Sequence, residues 1–432
     1  MVEITKIKAL EILDSRGNPT LMTRVTLSDN TVGIAKVPSG ASTGLNEAVE
    51  LRDGGKRYLG KGVAQAVSNV NTAIAEKMRG ANPLSQSNVD KMLLELDPST
   101  GKGKLGANAI LSVSMATAVA ASNHLKLELF EYLRTKVMSK DAKYLQPVPM
   151  CNVINGGAHA GNALAIQEFM ILPIGSKNVV EAIQCAAEVY HNLGKGMISK
   201  YGRMAKHVGD EGGFCGFGLK TSYDAFNEIV RAIEAAGYAP GKEVVLGIDA
   251  AASGFYKDGQ YTVDEKAMTP GELIDYYIDI EKTFPLKSVE DPFDENEFGE
   301  FAEYLTKTKT QVVTDDLTVS NPEIVKKAIE LKSGNSLLLK VNQIGSVSEA
   351  IEAAQIAYAA NWSVVVSHRS GETGDTFISD LSVALASGQI KTGGLARSER
   401  VEKYNRLLEI HSILDGDCGY PGSGFRTAWR NY

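Results

Sequence analysis

Six polar residues stand where short apolar runs end. VVLGI ends at Asp249, LKSV at Glu290, QVVT at Asp315 (with Asp316 next), LLL at Lys340, SVVVS at His368 and SGQI at Lys391. The steps between them are 41, 25, 25, 28 and 23 residues, about what a strand, a helix and two loops require. One structural position therefore recurs, at the ends of successive strands. The three carboxylates come first, with no Cys or His beside them. Such hard oxygen donors suit Mg²⁺. Alternatively, Asp249, Glu290 and Asp315 pair with Lys340 and Lys391 in a structural ion network. A carboxylate trio facing two lysines and a histidine also makes a site for a polyanion bridged by metal, and the repetition favours that reading.

Glycine-rich loops accompany these residues. PSGASTG (38–44) places Ser42 and Thr43 between Gly40 and Gly44. It reads as a surface turn, or as a lid that closes a hydroxyl over a metal or phosphate. NGGAHAGN carries His159, and Glu168 follows in QEFMI. VGDEGGF carries Asp210 and Glu211. A carboxyl in a glycine-bounded apolar loop can have its pKa raised, as a general acid needs. SHRSGETGD adds Arg369 and Ser370, both suited to phosphate. None of these loops is a P-loop or a dinucleotide fingerprint.

The elements that must position these groups fall into two parts. Ile4 to Leu13, Leu21 to Leu27 and Val32 to Val37 are β-type runs separated by turn residues, and helical text follows from about Gly62. That order predicts an α+β domain over residues 1–137 with a three-stranded antiparallel sheet. A charged stretch over 138–146 reads as a linker, residues 147–415 as a second domain, and 416–432 as a flexible tail. In the second domain, helix starts are marked by Thr269-Pro270-Gly271-Glu272, Ser320-Asn321-Pro322 and Ser346 with Glu349. Alternating strands and helices predict a parallel sheet. A doubly wound sheet and a closed barrel both fit, and the number of units suits a barrel of about eight strands.

Composition narrows the function classes. The 432 residues carry 45 Lys and Arg against 52 Asp and Glu, a net charge of −7. That balance argues against nucleic acid as a partner. The most apolar stretch, Leu105 to Leu125, holds Asn108, Asn123 and His124 and reads as a buried helix, so no membrane insertion is expected. Cys151, Cys185, Cys215 and Cys418 are widely spaced, with neither a metal pair nor a disulfide framework. With a start that is not signal-like, a cytoplasmic location is expected.

Taken together and in order, these motifs resemble the enolase (phosphopyruvate hydratase) family. The resemblance runs from ILDSRGNPT to ARSER, with VPSGASTG, NGGAHAGN, QEFM, GDEGGF, SVEDPF, VVTDDLTVSNP, LLLKVNQIGS and VSHRSGET between. It implies a modified (β/α)8 barrel behind an α+β domain, and reversible dehydration of 2-phosphoglycerate to phosphoenolpyruvate. It further implies Asp249, Glu290 and Asp315 as metal ligands, Lys340 as the base, and Glu211 as the acid assisted by Glu168. Ser42 would reach a second Mg²⁺ that arrives with substrate. Substrate contacts would be His159, Glu168, Lys340, His368, Arg369, Ser370 and Lys391. A lysine base must be neutral, and the metals with Lys391 would lower its pKa from about 10.4. The family is commonly dimeric and sometimes octameric.

Three places in the chain depart from the family pattern. Gly374 stands where Glu is usual, Gly394-Leu395 where Ala-Pro is usual, and Gly194 where Lys is expected. None falls on an implied site residue. The alternative to an enzyme is a non-catalytic structural or surface-binding protein of the same fold. Retention of the acid, the base and the metal residues argues against it.

Overall fold

The computed structural model describes residues 2–40 and 44–432, so Ser42 lies outside the described residues. Strands β1 (Ile4–Leu13), β2 (Pro19–Leu27) and β3 (Val32–Lys36) form an antiparallel sheet in the order β1-β2-β3. Between β1 and β2, Asp14 Oδ1 accepts the backbone N–H groups of Arg16 (2.8 Å) and Asn18 (2.9 Å). This is the local bonding that makes Asp a turn former. Helices α1 (Gln86–Leu96) and α2 (Ala107–Leu125) follow. The Ala- and Ser-rich α2 is buried along most of its length and packs on β2 and β3.

Small residues permit that packing. A Cβ on Gly33 would lie 2.2 Å from both Ala116 O and Ala120 N, atoms of the α2 backbone that cannot step aside. Gly33→Ala is therefore expected to destabilise by about 1–3 kcal/mol, the usual cost of overpacking. The check is a urea midpoint that falls while the slope is unchanged.

The second domain closes as a barrel. Its strands are β4 (Val148–Asn155), β5 (Glu168–Leu172), β6 (Val245–Asp249), β7 (Leu286–Glu290), β8 (Gln311–Thr314), β9 (Ser336–Leu339), β10 (Ser363–Ser367) and β11 (Gln389–Gly393), with β11 pairing back to β4. The closed barrel, rather than the doubly wound sheet, is the outcome. The sheet is not wholly parallel as simple alternation would have it, and its first units depart from that pattern as the modified barrel implied by the resemblance does. β5 runs antiparallel to β4 and to β6. The link between β4 and β5 holds only a three-residue turn of helix, Gly157–His159, so β5 returns beside β4 without a crossover. Helices α3 (Val179–Tyr201) and α4 (Ser222–Ala235) then follow in succession before β6. This reversal puts Glu168, the first residue of β5, at the same mouth as the last residues of β6 and β7.

The expected helix starts are present. Thr269 accepts from Glu272 N and completes a capping box, and Ser346 accepts from Glu349 N. At 320–322 the cap is Asn321, whose side chain takes Glu323 N. Ser320 is buried and has another use: its Oγ accepts Lys340 N at 2.8 Å.

The tail is docked, contrary to the flexible reading. Phe425 is buried with Val148, Leu172 and Leu338 in the cluster that fills the barrel interior. Trp429 stacks on Tyr358 at 4.4 Å. Aromatic burial outweighs the turn-rich character of CGYPGSG that suggested mobility.

Candidate active site

Strand register assembles the first part of the site. Glu168 pairs with Asp249, and Asp249 with Glu290, so three carboxylates form one row across β5, β6 and β7. Lys391 reaches into that row from β11. Its Nζ lies 2.9 Å from Asp249 Oδ2, 2.8 Å from Glu290 Oε1 and 3.1 Å from Glu168 Oε1. All four side chains are at most 5% exposed. Burial and the facing Asp249 push the Glu290 carboxyl well above the usual carboxylate range. Burial pulls the Lys391 ammonium down, but Asp249, Glu168 and Glu290 outweigh it and hold it well above its ordinary value.

Asp315, just beyond β8, carries the second part. Its Oδ2 pairs with Lys340 Nζ, and its Oδ1 accepts Gln343 Nε2 at 2.8 Å. The lowered Lys340 pKa expected from the sequence depends on metals at Asp315; here Asp315 faces the ammonium directly. Burial lowers it, but Asp315 and Asp316 outweigh burial and Lys340 is held as an ammonium. Arg369 and Lys391 act in the lowering direction.

The third part is a pair of acids. Glu211 accepts Asn152 Nδ2 at 3.2 Å and lies 3.7 Å from both His159 Nδ1 and His368 Nε2. Glu168 is close enough to share a proton with it. The loop by itself would allow a raised Glu211, and the groups that face it in the fold act the other way. Burial raises it, but His159, His368 and Arg400 outweigh burial and hold it well below the usual range. Glu168 instead is pushed well above that range, first by burial and then by Glu211. Two close carboxylates in a dry site retain one proton between them.

Every site residue expected from the sequence and lying within the described residues is at this mouth. His159, Glu168, Glu211, Asp249, Lys340, His368, Arg369, Ser370 and Lys391 line one narrow cavity. Glu290 and Asp315 touch its wall through the two lysines. Roomier cavities of about 440 and 500 Å³ lie elsewhere, against α2 and against the docked tail, and neither gathers these groups.

Several contributors were not legible in the sequence. Glu47 holds Arg369 through two hydrogen bonds, of 2.9 and 3.0 Å. Asp291 accepts the backbone N–H groups of Asp315 (2.8 Å) and Asp316 (2.7 Å) and fixes that turn. Arg400, fully buried, donates to His368 Nδ1 (2.5 Å), Arg369 O (2.6 Å), Ser370 O (2.6 Å) and Asp210 O (3.1 Å). It ties the loop bearing Glu211 to the loop bearing His368. No local signal distinguishes Glu47 or Arg400 from a surface charge. Asp291 was readable only as the residue after Glu290.

The departures can now be placed. Gly374 has open space around it and borders the cavity against α2. A Cβ on Gly194 would press on Lys206 and Phe214 at 3.0 Å. Gly394 lets its chain meet the Glu211 loop closely: its N–H donates to Glu211 O at 2.7 Å, and a Cβ would lie 2.5 Å from Gly212 O.

The donor chemistry fits a divalent cation. Asp249, Glu290, Asp315, Asp291 and Asp316 together outnumber the two lysines among them, and an unneutralised buried carboxylate is costly. The oxygens of Asp291, Asp315 and Asp316 also lie within 4.8 Å of one another. An all-oxygen set favours a hard cation.

Comparison with known proteins agrees over the whole chain. The enolase N-terminal domain matches residues 4–133, and the enolase C-terminal TIM barrel domain matches residues 143–429. The curated enolase of Methanocaldococcus jannaschii is 51% identical over 424 residues, covering 98% of each chain. That of Thermococcus kodakarensis is 51% identical over 430 residues, again 98% of each. That of Pyrococcus furiosus is 50% identical over 432 residues, 99% of each. With a barrel mouth that gathers the expected acids, lysines and histidines, and agreement across both domains, the chain belongs to the enolase family of hydro-lyases, which interconvert 2-phosphoglycerate and phosphoenolpyruvate.

Proposed function

We propose the following division of labour for this reaction. Lys340 takes the C2 proton, and the electrons of the C–H bond pass into the substrate carboxylate as an enolate dianion. Glu211, with Glu168 beside it, returns a proton to the C3 hydroxyl, which leaves as water. Arg369 and Ser370 take the phosphate, while His159 and His368 line the leaving-group side. Lys391 supplies fixed positive charge to the enolate. Asp249, Glu290 and Asp315 would hold one Mg²⁺, and Ser42 would reach a second that arrives with substrate. Bound there, Mg²⁺ supplies charge neutralisation for the dianion.

The observation that carries this reading is that Lys340 and the Glu168–Glu211 pair line one cavity from different strands. Asp315 cannot fully neutralise Lys340 and ligate a cation at once. With Asp315 committed to a cation, Arg369 and Lys391 remain as charges that lower the proton affinity of Lys340. A Lys base beside divalent cations is the general pattern of enolase-superfamily sites. Arg369 is already oriented by Glu47, and such a bidentate clamp suits phosphate recognition. The non-catalytic alternative finds no support, since the curated relatives from Methanocaldococcus jannaschii, Thermococcus kodakarensis and Pyrococcus furiosus are enolases.

The test is phosphoenolpyruvate formation from 2-phosphoglycerate, followed by ultraviolet absorbance. Turnover is expected with Mg²⁺ and none with EDTA. Mg²⁺ at about a hundred times its dissociation constant should also stabilise the fold by about 2.7 kcal/mol, read as a rise in melting temperature. No rise on adding Mg²⁺ would remove the carboxylates as ligands. No helix among the described residues is long and apolar enough to cross a membrane. The four free cysteines support a cytoplasmic setting. The family habit supports a homodimer or an octamer, which light scattering would distinguish.

A further inference from the structure

The docked tail closes a cavity of about 500 Å³ that shares no residue with the one at the barrel mouth. Its wall carries Arg134, Lys140 and Arg430 and no Asp or Glu. In a chain of net charge −7 that is a local reversal of sign. None of the three cations forms an ion pair with a carboxylate side chain among the described residues. Lys140 and Arg430 are exposed, but Arg134 is only 2% exposed. Its Nε donates to Asp141 O (2.6 Å), its Nη1 to Ala384 O (2.9 Å) and its Nη2 to Tyr432 O (3.2 Å). A guanidinium has five N–H donors, so two of them have no partner among the described residues. Burial acts against this charge, yet a guanidinium cannot shed its proton as a lysine can. A buried charge calls for an opposite one. Even a carboxylate at Tyr432 would leave two of the three positive charges unmatched.

We propose that this cavity binds a diphosphate group, with the buried Arg134 and the exposed Lys140 and Arg430 as its cations. The planar fork of an arginine matches phosphate oxygens, and three cations without an acid call for more than one negative charge. The volume is that of a small-molecule site. Inorganic pyrophosphate and a nucleoside diphosphate share this chemistry. The Tyr358–Trp429 stack, with centroids 4.4 Å apart, gives the second an apolar wall that the first does not use. Arg134 belongs to the N-terminal domain, Tyr358 and Ala384 to two barrel helices, and Trp429 and Arg430 to the tail. A ligand here therefore braces all three against one another.

The test uses the chain's own fluorescence. Of its two tryptophans, Trp362 is 6% exposed in the core, whereas Trp429 lines the cavity with Arg430 over its ring at 5.5 Å. An anion that draws on Arg430 should change the Trp429 emission. The full chain is titrated with pyrophosphate and, separately, with ADP, in EDTA so that Mg²⁺ does not sequester either. A saturable change is expected, with one equivalent per chain by calorimetry. The change should survive in Trp362→Phe and vanish in Trp429→Phe. Lys140→Ala and Arg430→Ala should each weaken binding by about tenfold, the loss of one charge-assisted hydrogen bond. Neither residue lines the barrel mouth, so both variants should turn over 2-phosphoglycerate at the wild-type rate, which also shows that they have folded. Arg134 is left in place because it also anchors the tail. Tighter binding of ADP upholds the site as one for a nucleotide, and equal or tighter binding of pyrophosphate upholds it as one for the inorganic anion. No saturable binding of either, a change that persists in Trp429→Phe, or affinity untouched in both Lys140→Ala and Arg430→Ala overturns it.

Discussion

Lys340→Ala should reduce the turnover of 2-phosphoglycerate by about 10³- to 10⁴-fold, the upper range for loss of a positioned base. The variant should also stop exchanging the C2 proton with deuterated solvent. Both follow from where Lys340 sits. Ser320 Oγ holds its backbone N–H at the end of β9, and Asp315 holds its ammonium at the cavity wall. Removal of the amine takes away the lysine that pairs with Asp315 and leaves Lys391 engaged with Asp249, Glu290 and Glu168. Lys391 therefore cannot substitute without vacating that row. Because Asp249 and Glu290 are untouched, the Mg²⁺-dependent thermal shift should persist in Lys340→Ala. Proton exchange at C2 that continued at the wild-type rate would remove Lys340 from the role of base.

Glu211→Gln is expected to cost nearly as much, about 10²- to 10⁴-fold in dehydration, and to differ in kind. Proton abstraction at C2 does not need Glu211, so deuterium exchange into 2-phosphoglycerate should continue while water loss stalls. The glutamine amide can still accept from Asn152, which keeps the loop in place. The charge that His159, His368 and Arg400 stabilise is gone, and with it the carboxyl that trades its proton with Glu168. The unshared proton on Glu168 does not compensate, because Oε1 of Glu168 lies 3.1 Å from Lys391 and faces the carboxylate row. Loss of exchange together with loss of dehydration would mean that the acid and the base work as one unit, and the assigned division between them would fail.

The polar residues at the ends of apolar runs were legible because a buried strand has no use for them. Asp249, Glu290, Asp315, Lys340, His368 and Lys391 each interrupt or end a run that is otherwise apolar, and alternation of strand and helix repeats the position. The helix starts were readable for a similar reason. Capping is local, and a Thr or Ser three residues before a Glu carries its own hydrogen-bond geometry. The antiparallel course of β5 was not visible in the alternation, since it follows from how short the helical turn after β4 is.

What the sequence determined by itself was the family, the polar residues that gather at the barrel mouth, and their order around it. These are carried by residue types, by spacing, and by strings such as GDEGGF and LLLKVNQ that do not depend on packing. Tertiary structure decided the electrostatic balance at those groups. The Glu211 carboxyl is drawn down and that of Glu168 pushed up because residues far apart in the chain, His159, His368 and Arg400, converge on the first, while Glu168 faces burial and the other carboxylates. Asp315 and Asp316 arrive beside Lys340 from another strand and favour its ammonium form. The roles of Glu47, Asp291 and Arg400 were decided in the same way. Electrostatic interaction at a buried site depends on distance and desolvation, and neither quantity exists until the chain has folded.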